Sequence, residues 1–155
     1  MSSARAQANH KLYLAKIQLS SWRQALAAED IPATTLTQAF LPAVREHLLA
    51  AYGWFLLHVS GCEAASGWPP RGCAELPGVV AGKAVAGEIR EFQQLENDGW
   101  LGALLREDEE STVAAPTPGN LARSIPGSQD CELVQHWVNE LEALFDRMSD
   151  SLEEY

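Results

Sequence analysis

The sequence predicts an all-α protein, an antiparallel four-helix bundle with a short extra helix and a long mobile loop before the last helix. Two apolar stripes and one break pattern carry that prediction. Near the N-terminus Leu12, Ala15, Leu19, Trp22 and Leu26 step by three and four residues, and near the C-terminus Val134, Trp137, Leu141, Leu144 and Met148 do the same. That spacing puts each set on one face of a helix. Between them, clusters of Pro and Gly punctuate the middle of the chain as loops around further helical segments.

The first helix is expected over Ala4–Ala28, where Ala, Leu, Gln, Arg and Lys dominate, with Ile31-Pro32 as its terminator because the residue before a proline leaves the α region. Thr34, Thr35 and Thr37 are candidate N-caps for a second helix running from Thr35 or Thr37 to Ala65. Leu41, Val44, Leu48, Ala51, Phe55, Val59 and Cys62 form its stripe, widened by Leu49, Tyr52 and Leu56, so it is central or buried on two sides. Pro42 falls either in its first turn or at a kink. Residues 66–82 are punctuated by Gly67, Pro69, Pro70, Gly72, Pro77, Gly78 and Gly82 and read as a loop pinned by Trp68. A third helix is expected over Lys83–Glu96, with Val85, Ile89, Phe92 and Leu95 on one face. Asp98-Gly99 breaks it, and Asp98 caps the short segment Trp100–Arg106. Residues 107–127, acidic and then rich in Pro and Gly, read as a mobile linker inside a single 1–155 domain. The last helix starts near Ser128 or Asp130 and runs to about Leu152.

Charge is unevenly distributed. The net charge is −10, yet residues 1–28 carry Arg5, Lys11, Lys16 and Arg23 and no acid, while the final third is strongly acidic. Side-by-side packing of the first and last helices would make them complementary. The overall sign argues against a nucleic-acid partner, which needs a basic footprint. The longest apolar stretch, Leu48–Val59, is too short to span a membrane, and Met1–Leu14 has no apolar signal region. Three cysteines without a close pair, Cys62, Cys73 and Cys131, fit a reduced, cytoplasmic setting.

Constellations that could carry chemistry are few. Glu132, His136 and Glu140 repeat every four residues on the last helix, but lie off its apolar stripe and have no matching ligand on another element, so no metal is expected. Arg5 and His10 have the Arg-x4-His spacing found in some bundle ribonucleases, near a chain end. His47 and His58 are read as lying on opposite sides of the second helix. No phosphate loop, serine elbow or catalytic carboxylate pair is present, so no catalytic residue and no cofactor are assigned. Of five tryptophans, Trp22 and Trp137 belong to core stripes and Trp54 lies just off one. Trp68 and Trp100 adjoin loops, where an aromatic either lids the core or anchors a partner, which makes these two the candidate partner-binding residues.

The run Asn9-His10-Lys11-Leu12-Tyr13-Leu14-Ala15, followed by Leu19 and Ser21-Trp22-Arg23-Gln24-Ala25, resembles the start of a family of small helical proteins from pseudomonads and related gammaproteobacteria. That family carries a domain-of-unknown-function label. Asp98-Gly99-Trp100-Leu101 with Leu104-Leu105 is similar to its second marker, and the final Trp-containing helix to its close; the Gly/Pro loop around Trp68 to Gly78 departs from it. The resemblance implies a helical fold and supplies no activity. Together these readings point to a non-enzymatic module that binds another protein, with a ribonuclease-like or metal-dependent bundle enzyme as the alternative.

Overall fold

The computed structural model describes residues 3–61, 69–76, 87–106 and 128–153. Among them are five α-helices, α1 (Ala4–Ala28), α2 (Ala33–Ser60), α3 (Gly87–Asp98), α4 (Trp100–Leu105) and α5 (Ser128–Glu153), with a 3-10 turn at Cys73–Glu75 and no strand. The protein is all-α. No described helix is long and apolar enough to cross a membrane. The expected linker 107–127, Trp68 and Cys62 lie outside the described residues.

The helix bodies follow the apolar periodicity. Leu12, Ala15, Leu19 and Trp22 of α1 are buried, as are Val134, Trp137, Leu141, Leu144 and Met148 of α5. On α2 burial extends to Leu49, Tyr52, Leu56 and Leu57 beside the main stripe, so this helix is covered on more than one side. Aromatic rings join the elements. Phe55 of α2 stacks on Phe145 of α5 with centroids 4.1 Å apart and meets Phe92 of α3 edge-on at 6.2 Å. Trp22 of α1 lies parallel to Phe40 of α2 at 6.0 Å.

α1 has the expected bounds and α5 ends one residue past the expected Leu152, whereas the caps and the ends of α2 depart from expectation. α1 stops at Ala28 because Glu29 turns into the left-handed region, φ 56°, and its N–H bonds back to the Leu26 carbonyl at 3.3 Å. Ile31-Pro32 therefore does not end α1. Pro32 instead precedes α2, and its carbonyl accepts from the Leu36 N–H at 3.1 Å. Thr34, Thr35 and Thr37 sit inside the first turns, and none is an N-cap. α2 ends at Ser60, short of Ala65, because Gly61 adopts φ 70° and its N–H reaches the Leu57 and His58 carbonyls, the usual role of a left-handed C-cap glycine. Pro42 is inside α2 on an exposed side, past the first turn. Asp98 closes α3; the residue preceding α4 is Gly99, which offers no side-chain cap.

α1 packs most extensively on α2 and also touches α5, while α2 contacts every other helix. Lys16 meets Glu142 at 2.9 Å and Arg23 meets Glu132 at 3.5 Å, so rising numbers on α1 pair with falling numbers on α5 and the two run antiparallel. The expected complementarity of basic α1 and acidic α5 is thus present. These exposed pairs are worth about 0–1 kcal/mol each and select neighbours more than they stabilise. Arg147 of α5 grips Glu91 of α3 through two bonds of 2.9 and 3.0 Å.

Candidate functional site

Between α1, α2 and the segment 69–76 lies a cleft of about 290 Å³. Its floor is α2, through Leu49, Ala50 and Trp54, and one wall is α1, through Gln7 and Lys11. The opposite wall is Pro69, Pro70 and Arg71, with Glu46 at its edge. Trp54 is half-buried, with part of its ring packed on the core and part available to the cleft.

The segment 69–76 makes this a cleft rather than an open helix surface, and several contacts fasten it. Gly53 is buried in the middle of α2, and a Cβ there would stand 2.3 Å from the Pro70 carbonyl oxygen and 2.8 Å from Pro69 Cβ. Only a residue without a side chain lets the proline pair rest on the helix backbone. Glu96 of α3 supplies the second fastening. Its Oε1 accepts from the Tyr52 hydroxyl at 2.7 Å and from the Cys73 N–H at 3.0 Å. The third is a two-bond contact from the Arg71 guanidinium to the Glu46 carboxylate, at 2.8 and 3.3 Å. Both partners are exposed, so this pair orients the wall more than it stabilises it.

Burial dominates the chemistry behind the wall. It pushes the Cys73 thiol up to about 12, with the Glu96 charge acting in the same direction. Burial also drives Tyr52 far above the ordinary phenol range, again helped by Cys73 and Glu96. Both groups therefore stay protonated at neutral pH, and Cys73 is an inert, space-filling thiol. Next to Glu46 on α2, His47 Nδ1 lies 2.6 Å from Gln18 Oε1 of α1. Burial first, then the Lys11 charge, lowers the basicity of this imidazole.

No family model, curated protein or solved structure matches this chain. The reading of the site consequently rests on its own geometry.

Trp68, a candidate partner-binding residue, lies outside the described residues. Trp100 is half-buried on α4 and packs against the core. Glu132 bonds to Arg23, whereas His136 is exposed one turn further along α5. Among the described residues no group of three or more His, Cys, Asp or Glu is placed to hold a metal ion. Arg5 and His10 both lie on α1, where Arg5 acts electrostatically on His58 and His10 on His47. His47 and His58 lie on the same side of α2, not on opposite sides: eleven residues are close to three whole turns, and both histidines face α1. The composition of the cleft was only partly signalled, by a glycine in an apolar helix and a Pro-Pro pair in a loop. Its Tyr52–Glu96 fastening joins residues 44 positions apart and has no local signature.

Proposed function

We propose that this chain is a non-enzymatic, cytoplasmic protein-binding module that docks a segment of another protein in the cleft between α1, α2 and residues 69–76. The observation that supports this reading is the combination of a half-buried Trp54 with a wall held in place before any partner arrives. A preset wall lowers the ordering cost of binding, and tryptophan is among the residues enriched as interface anchors. Trp54 takes the anchoring role that Trp68 and Trp100 were expected to share. The lining offers apolar contact and a few charges, which suits recognition. No nucleic acid and no cofactor enters this reading.

We further read α1, α2, α3 and α5 as the four members of an antiparallel bundle, α3 being the short one, and the chain as kin to the family of small helical proteins that its N-terminal run resembles. The bundle matters to the function because α1 and α2 are two of its members, so the cleft has a stiff floor and one stiff wall.

Co-purification from the native host, compared between the wild type and Ala50→Arg, tests the docking reading. Ala50 is half-exposed on the cleft floor, and arginine is a good helix former, so this change fills the cleft and leaves α2 intact. A protein recovered with the wild type, lost with Ala50→Arg and rebound when both are purified is the expected result. An unchanged set of recovered proteins, with unchanged thermal stability, contradicts it.

A further inference from the structure

The rim of the cleft is not electrically neutral. Lys16, Arg23, Arg71 and Arg147 each meet a carboxylate within 4 Å. Lys11, on the α1 wall, makes no ion pair or hydrogen bond among the described residues. Glu46 is the carboxylate lining the cleft, and the Arg71 guanidinium donates one bond to each of its oxygens and balances its charge. The ammonium of Lys11 is therefore the charge left to meet a ligand. Below it lie Leu49, Trp54, Pro69 and Pro70, which offer apolar contact. A space of about 290 Å³ is at the small end of ligand pockets and suits one large side chain with a little flanking backbone.

Resting on the docking reading above, we infer that the cleft selects an acidic segment of the partner, one that inserts a single large apolar side chain against Trp54 and the proline pair and sets a neighbouring carboxylate on Lys11. The net charge of −10 opposes such a segment at long range. At physiological ionic strength that repulsion is screened beyond about 8 Å, whereas a contact with Lys11 acts within that distance. The Lys11 contact therefore sets the choice of segment more than the speed of encounter.

The test uses three synthetic peptides and the full chain labelled with nitrogen-15. The first is acetyl-Glu-Ser-Phe-Ser-Glu-amide, the second has Gln in place of both Glu, and the third has Lys. Each is titrated while the Trp54 indole and Lys11 amide resonances are followed, the indole being assigned with Trp54→Phe. The acidic peptide is expected to shift these resonances saturably, and the Gln peptide to bind about fivefold more weakly, equivalent to about 1 kcal/mol. The Lys peptide is expected to bind weakest. In Lys11→Gln the acidic and Gln peptides should become equal. Equal binding of those two peptides to the wild type overturns the charge selection and leaves the docking reading standing. A preference that survives Lys11→Gln overturns the assignment to Lys11. Failure of all three peptides to move cleft resonances at millimolar concentration overturns both.

Discussion

At the residue scale Gly53 and Glu96 hold the cleft wall in place. Glycine inside a helix costs about 0.5–1 kcal/mol relative to alanine, so Gly→Ala at an ordinary helical site stabilises. Here the sign reverses. The new methyl would press on the Pro70 carbonyl, and either the segment 69–76 lifts or α2 bends. Gly53→Ala should lower stability by about 1–3 kcal/mol, the usual range for overpacking, and chemical denaturation reads it directly. A gain in stability would mean that the proline pair does not rest on α2. Glu96 accepts both of its bonds at one oxygen, so Glu96→Gln retains an acceptor while Glu96→Ala removes it. Alanine leaves the Cys73 N–H unpaired and the Tyr52 hydroxyl with only its weak contact to the Cys73 sulfur at 3.8 Å, and the expected loss is about 1–3 kcal/mol. Glutamine should lose clearly less. Equal losses for the two variants would show that shape, rather than the hydrogen bonds, sets the role of Glu96.

At the element scale the helix bodies, both ends of α1 and the start of α5 were legible in the sequence, whereas the ends of α2 and most of the caps were not. Burial of a stripe is dictated by periodicity, so Leu12 to Trp22 and Val134 to Met148 could be placed in the core from spacing alone. An end depends on one residue's backbone. Nothing in the composition marks Glu29 as left-handed, and the three threonines after it offered better caps than the chain uses. The short helix α4 shows a further reason. Six residues make a marginal helix by themselves, and the carbonyls at its end need donors. Arg45 of α2 provides them, its Nε donating to the Leu104 carbonyl at 2.9 Å and its Nη2 to the Arg106 carbonyl at 2.5 Å. A cap that arrives from 59 residues away is invisible to local pattern. Arg45→Ala should destabilise by about 1.5–3 kcal/mol, as expected for charge-assisted bonds. The amides of α4 should lose hydrogen-exchange protection before those of α1. Uniform loss of protection across all helices would show that Arg45 does not act on α4.

At the scale of the whole molecule, α2 is the axis on which the other helices and the cleft wall are mounted. Two histidines lie on its α1 side, and burial is the leading cause lowering the basicity of both from an ordinary value of 6.5, with Lys11 adding to it for His47 and Arg5 for His58. The folded form therefore prefers them neutral. Once pH falls below about 6.5 the unfolded chain takes up protons that the folded chain resists, so stability rises with pH through this window and falls on acidification. The thermal midpoint should drop between pH 7 and pH 5, and the drop should shrink in the double variant His47→Gln, His58→Gln. An identical pH dependence in that variant would place the sensitivity elsewhere. The packing of α1 against α5 matches the charge complementarity read in the sequence. The cleft was not legible there, because its wall depends on Gly53, Glu96 and Arg71 meeting partners on other elements.

Docking of another protein on the face between α1, α2 and residues 69–76 is the proposal on which the rest depends. Site-specific photo-crosslinking in living host cells tests it most directly, with a benzophenone amino acid placed at Ala50 on the cleft floor or at Ala103, exposed on α4. The account predicts one discrete cross-linked species from position 50, weakened by Glu96→Ala in the same chain, and none from position 103. Equal cross-linking from both positions, or none from position 50 while the wild-type chain still recovers a partner, would contradict it.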